Sequence, residues 1–244
     1  MRFPADLYGP VRCPDDVLIG EHAVLGCPKE ARLADHVTGQ ATGRGRPVTI
    51  GTKTVLMHHV VVYEGVTVGA GCFVEDRVRI GYDCTIGDGT RLIHGAYLCD
   101  RVEVGAGCRV AGFVCDGTRI GDGSTVMGRL VHEYSQPHRG WWAADEAPPV
   151  VHEKTVVAMG AVVVGAVSIG PRSYVAAGAV VTKDVPPATV VTGTNVHTPL
   201  SSWRGSRLRD LVEEWGGGSQ ELGRAPDSND GDGVRERARD ELPR

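Results

Sequence analysis

Large aromatic side chains are scarce in this chain: among 244 residues there are only 3 Phe, 4 Trp and 6 Tyr. A core of interlocking rings is therefore excluded. Positive charge is not in excess either, since 26 Lys and Arg stand against 30 Asp and Glu for a net charge of −4. That balance argues against nucleic acid as a partner, because such proteins carry a basic patch or stripe. No apolar run approaches the roughly 20 residues a membrane-spanning helix needs, so no membrane partner is expected. The start, MRFPADLYGP, has no basic stretch followed by an apolar core, and no signal peptide is expected. The seven cysteines form no Cys-x-x-Cys pair, and several fall at repeat positions. They read as reduced, small packing residues of a cytoplasmic protein. Helical periodicity is absent before about residue 206.

What is abundant is Gly, 34 residues, together with Val, a composition that suits short strands and tight corners. Stepping six residues at a time from Ile50 meets Leu56, Val62, Val68, Val74, Ile80, Ile86, Leu92, Leu98, Val104 and Val110. The phase slips once and resumes as Val114, Ile120 and Val126, then after a gap as Val151, Val157, Val163, Ile169, Val175 and Val181. Gly commonly follows the aliphatic residue (Gly51, Gly69, Gly81, Gly87, Gly105, Gly121, Gly170), and a small residue such as Cys72, Cys84, Cys108, Ala161, Ser173 or Ala179 comes four after it. The pattern predicts an all-β solenoid of short parallel strands. The aliphatic row points inward and stacks from coil to coil, the small residue fits the corner, and Gly tolerates unusual backbone angles there. Six residues per face and three faces give an 18-residue coil.

This repeat resembles the hexapeptide-repeat family, over about residues 10–200. The resemblance implies a left-handed parallel β-helix of triangular section, against the usual crossover rule. It places residues 1–200 in one catalytic domain, with loop insertions at 38–47 and 127–150. Residues 206–215 put Leu208, Leu211, Val212 and Trp215 on one helical face before Gly216, predicting a C-terminal capping helix within 201–216. Residues 217–244 hold few apolar side chains and read as a disordered tail.

Function in a solenoid is expected where its period breaks. The first break, 38–47, carries Arg44 and Arg46 and reads as a surface excursion or as a grip on an anionic substrate. The second, 127–150, gathers His132, Glu133, Tyr134, His138, Arg139, Trp141 and Trp142. Trp141 and Trp142 either pack back onto the coil or stack against a ring-shaped substrate, with Tyr134 and Arg139 beside them. Acetyltransferases of the hexapeptide family that act on sugars and small xenobiotics carry a loop here with a His soon after its start. The resemblance therefore implies His132 as general base, with His138 as second choice. Imidazole, with an unperturbed pKa of about 6.5, can take a proton from an attacking amine or hydroxyl at neutral pH. Glu133 or Glu153 could orient the ring.

The ending Val180-Val-Thr-Lys-Asp-Val-Pro186-Pro187 is similar to the far end of the family's coenzyme A site. It implies that the backbone of Gly160, Ala161, Gly178 and Ala179 lines a groove for the pantetheine arm, and that Thr182, Lys183 and Arg172 approach the phosphates. The Gly193-Thr-Asn195-Val-His197 that follows departs from the family's usual Gly-Asn-Pro-Ala turn. The expected protein is an acetyl-CoA-dependent N- or O-acetyltransferase, a homotrimer acting on an amino sugar or similar small metabolite, without a metal. Two alternatives stand beside it. One is a zinc enzyme resembling γ-class carbonic anhydrases, with His58 and His94 in one column 36 residues apart and Cys99 in place of a third His. The other is a non-catalytic scaffold.

Overall fold

The computed structural model describes residues 6–30, 32–33, 38, 45–134 and 146–204. Its strands are two to four residues long and form three sheets. The first face has nine strands, from Asp6–Leu7 to Val180–Val181; the second has eight, from Val11–Arg12 to Ser168–Ile169. The third has ten, from Leu18–Ile19 to Thr189–Thr192, closed by Val196–Pro199. The chain visits the faces in rotation, so each coil contributes one strand to each. Neighbours within a sheet are parallel, and partners such as Val61, Arg79 and Tyr97 are 18 residues apart. Every aliphatic residue of the six-residue row, from Ile50 to Val181, is 3% exposed or less. Burial of that row against its equivalents in the coils above and below is the apolar stabilisation of the fold.

The glycines after those aliphatics have a different reason from the one the sequence suggests. Gly51, Gly87 and Gly121 do not have positive φ; a Cβ on any of them would stand 2.5 Å from the backbone of the next coil. They permit close stacking. The left-handed conformation falls two residues later, at Lys53, Gly71, Gly89, Gly107, Gly123, Lys154 and Arg172.

The three corners differ. At the second–third corner the small residues form a ladder of Thr54, Cys72, Thr90, Cys108, Ser124, Thr155, Ser173 and Thr189, all buried. Thr54 donates to Gly69 O at 2.8 Å and accepts the Cys72 amide at 3.1 Å. Thr90 repeats the pattern with Gly105 and Cys108, and Ser124 with His152 and Thr155. The thiols of Cys72 and Cys108 stand in for hydroxyls, reaching Gly87 O and Gly121 O at 3.2 Å. All seven cysteines are free thiols.

The third–first corner loses residues. Full turns there, such as 93–96 and 158–161, have four; the turns Ala111–Gly112 and Met127–Gly128 have two. The register drops to 16 at Tyr97 with Phe113 and at Arg109 with Thr125. The phase slip at Val110 is thus followed by a second, from Val126 to Leu130.

The first–second corner gains residues, and both excursions leave from it. One follows Val24–Cys27 and the other follows Arg129–Val131, so Arg129–Val131 is strand and the second excursion begins at His132. The foot of the first is fastened by Glu64, whose side chain is 3% exposed. Its carboxylate accepts Lys29 N–H at 3.0 Å, Arg46 N–H at 3.1 Å and Arg32 Nη1 at 3.1 Å. Asp83 pairs with both Lys29 and Arg46. Arg46 is therefore matched inside the chain, which favours the structural reading of this loop; Arg44 lies outside the described residues, as do the predicted capping helix and tail.

The third face ends on a hairpin. Val196–Pro199 runs antiparallel to Thr189–Thr192 through a turn with positive φ at Gly193 and Asn195, and a short 3-10 turn, Leu200–Ser202, follows. No helix among the described residues is long and apolar enough to cross a membrane.

Candidate functional site

His132 sits at the foot of the second excursion, next to Val131, which pairs with Val164 of the following coil. Its Nδ1 is shielded from solvent and meets no hydrogen-bond partner among the described residues. The ring of Tyr134 stands edge-on to it at 6.3 Å. Tyr134 is 57% exposed, takes positive φ, and donates its amide to Glu146 Oε2 at 2.7 Å. That bond ties the two feet of the excursion together. Neither expected carboxylate orients the imidazole through Nδ1. Glu133 lies against the turn at Gly165, and Glu153 belongs to the second–third corner, where its carbonyl accepts the Arg172 amide at 3.2 Å. His138, Arg139, Trp141 and Trp142 lie outside the described residues.

The residues expected to hold coenzyme A are spread over all three corners. Gly160, Ala161, Gly178 and Ala179 are on the third–first corner, Thr182 and Lys183 on the first–second corner, and Arg172 on the second–third corner. Ala161 and Ala179 are 0% and 1% exposed. Their amides bond Ala158 O and Ala176 O, and their carbonyls accept Arg129 N–H and Val162 N–H. They pack the core and offer no free amide, a correction to the expected backbone lining. Gly160 and Gly178 remain at the surface with positive φ, and no atom of the described residues stands within 4 Å of a Cβ at Gly178. Arg172 is a left-handed turn residue away from that groove. Thr182 and Lys183 are exposed, but Thr182 is already clasped: Asn195 Oδ1 accepts its amide at 2.9 Å and Asn195 Nδ2 donates to its hydroxyl at 2.8 Å. The departure from the family turn at Gly193–Asn195 is thus a clip that fixes the Thr-Lys-Asp segment. Sequence reasoning missed it, although Asn after Gly-Thr is a recognisable left-handed turn residue.

His132 and Gly160 therefore stand at opposite ends of two paired strands of the first face, Arg129–Val131 and Val162–Val164, separated by about 16 Å of extended chain, the span from Gly160 to Gly165. Along that face the outward side chains include Arg79, held 4.4 Å over the Tyr63 ring and 4.5 Å over the Tyr97 ring. Tyr97 in turn stacks on Phe113 at 5.5 Å. Beside Tyr97 the two shortened turns leave a cleft of about 580 Å³ lined by Gly95, Tyr97, Gly112, Phe113, Met127, Gly128, Arg129, Gly160 and Val162. No motif marked it beyond the four-residue steps.

The zinc alternative does not gather in one chain. His58 and His94 share the third–first corner two coils apart, whereas Cys99 is on the first–second corner. His58 Nδ1 accepts the Glu21 amide at 3.0 Å, and burial pushes the Cys99 thiol up to about 12. Among the described residues no three His, Cys, Asp or Glu side chains come together to hold a metal ion.

No protein-family model matches the sequence, and no curated protein matches it. Solved structures do match in shape. UDP-N-acetylglucosamine acyltransferase from Francisella novicida aligns with a TM-score of 0.50 at 17% identity, covering 87% of this chain and 78% of its own. The enzyme of that name from Campylobacter jejuni aligns with a TM-score of 0.47 at 14% identity, over 87% of this chain and 82% of its own. Perosamine N-acetyltransferase from Caulobacter crescentus, solved with CoA and GDP-perosamine, reaches 0.29 at 20% identity over 69% and 62%. Triangular coils, an inward six-residue row and the likeness to the Francisella structure agree: the chain folds as a left-handed parallel β-helix of hexapeptide repeats.

Proposed function

We propose that the protein is a coenzyme A-dependent acyltransferase whose site forms between neighbouring copies of the chain. One observation carries this reading: His132 and the surface glycines of the expected donor groove occupy two different corners, so a site that uses both needs the His132 corner of one copy against the Gly160 corner of another. A homotrimer satisfies that requirement. The shared fold with acyltransferases acting on UDP-N-acetylglucosamine supports the reaction class.

In this mechanism the acceptor, an amine or hydroxyl of an amino sugar or similar metabolite, gives its proton to the imidazole of His132 as its nitrogen or oxygen bonds to the thioester carbonyl carbon. The carbonyl oxygen gains charge, which backbone N–H donors offset. The carbon–sulfur bond then breaks, and the imidazolium returns a proton to the departing thiolate. Lys183 offers a compact charge to the donor's phosphates, steadied by the Asn195 clip on Thr182.

Calorimetric titration with acetyl-CoA and coenzyme A, on the full chain and on Lys183→Ala, is the direct test. Micromolar binding that weakens about tenfold or more in the variant is expected, together with a trimer mass in solution. Loss of acetyl transfer to amino sugars is expected in His132→Ala with binding retained. Absence of binding to either compound overturns the proposal.

A further inference from the structure

The cleft on the third–first corner is made by subtraction. Two successive coils lack half of their turn there, Ala111–Gly112 and Met127–Gly128, while the turns on either side keep four residues. The stack is unbroken beneath, since Val114, Val126 and Leu130 are fully buried. What is missing is only the outer wall, and the result is a notch across two coils of about 580 Å³.

Its lining has a definite character. One wall is the stacked pair Tyr97 and Phe113, with Tyr97 41% exposed. Met127 and Val162 add apolar surface, and the glycines bring backbone close to the floor. Among the described residues no carboxylate lines it and the one charged residue is Arg129, whose stem is itself apolar. Met159, next in the chain to the lining residue Gly160, is 73% exposed, the most exposed of the large apolar side chains described. Flexible thioethers and aromatic faces suit an alkyl or planar apolar guest. The notch also runs without interruption into Gly160, the first residue of the proposed donor groove.

We infer that the notch receives the acyl group of the donor thioester and selects a group longer than acetyl. This rests on the proposed transferase reading, because it assumes that the donor's arm passes Gly160 and Gly178. An acetyl group would leave nearly all of the notch to water, whereas a chain of about six carbons would cover Tyr97, Phe113 and Met127. Each methylene removed from water strengthens binding by up to about fourfold, so a longer chain gains steeply until the notch is filled.

The experiment titrates the full chain with coenzyme A, acetyl-CoA, butyryl-CoA and hexanoyl-CoA, and repeats the series on Met127→Trp, which fills the notch, and Tyr97→Ala, which removes a wall. Thermal melting of each variant checks that it is folded. Hexanoyl-CoA is expected to bind at least about tenfold more tightly than acetyl-CoA. The gain should vanish in Met127→Trp and shrink in Tyr97→Ala, with free coenzyme A bound equally by all three. Coenzyme A binding without dependence on chain length, or a gain untouched in both variants, overturns the notch assignment and leaves the transferase reading standing. No binding of any member removes both.

Discussion

Thr90 accepts the amide of Cys108, one coil further on, at 3.0 Å while its own hydroxyl donates to Gly105 O at 2.7 Å. One buried oxygen thus satisfies a donor and an acceptor in the turn of the next coil, residues 105–108. Replacing Thr90 by the isosteric Val leaves both backbone groups buried and unpaired, at about 1–3 kcal/mol each. Thr90→Val is expected to lose about 2–4 kcal/mol in urea denaturation, and Thr90→Ser to recover most of it. Cys108→Ser should be tolerated, because a hydroxyl can replace the thiol that reaches Gly121 O.

Two glycines separate close approach from backbone freedom. A Cβ on Gly87 would stand 2.5 Å from the backbone of Gly105 and Ala106, which cannot move aside without parting the coils. A Cβ on Gly71 would meet no atom of the described residues within 4 Å, and only the φ of +63° is unfavourable. Gly71→Ala is expected to cost about 1 kcal/mol. Gly87→Ala should cost several times more. Equal melting temperatures for the two would contradict the distinction.

Glu64 is a buried carboxylate that holds three partners from the first excursion, the amides of Lys29 and Arg46 and the guanidinium of Arg32. Glu64→Ala leaves them without an acceptor, at about 3 kcal/mol. The visible consequence should be local: trypsin is expected to cut after Lys29 or Arg32 in the variant well before it cuts in the repeats.

Burial, opposed by the hydroxyl of Tyr82, raises the Asp100 carboxyl above its ordinary 3.8. The folded state therefore holds this proton more tightly than the unfolded chain does. Asp100 adds stability at low pH, and that contribution is lost as pH rises from the unfolded value through the raised folded one. Asp100→Asn keeps an acceptor for the Tyr82 amide, bonded at 3.2 Å, and removes the charge. Its melting temperature should equal or exceed that of the parent at pH 7, with the difference closing below about pH 4. A variant less stable at pH 7 and unchanged at low pH would show that the charge is favourable.

The inward rows were legible in the sequence because burial of one residue in six leaves a periodic trace; Ile50 through Val181 fall inside as expected. Which corner a residue occupies was not, because the three faces share one pattern and position depends on counting through every slip. For that reason Gly160, Lys183 and Arg172 look contiguous in the sequence but lie at three separate edges. The inward direction of Ala161 and Ala179 follows from the same rows and could have been read from them. The Glu64 clasp could not, since a single Glu between Tyr63 and Gly65 carries no mark of the partners it meets from 18 to 35 residues earlier.

From Gly51 onward the second–third corner keeps four residues in every coil, fixed by its hydroxyl and thiol ladder, while the third–first corner sheds length and the first–second corner accepts it. One edge of the prism keeps the count and another is open to enlargement. A peptide spliced between Asp116 and Gly117 would project outward with the stack intact, whereas the same splice beside Thr90 would sever the ladder. Chain added at the open edge changes the molecule's reach over its surroundings, and the scaffold beneath is indifferent to it.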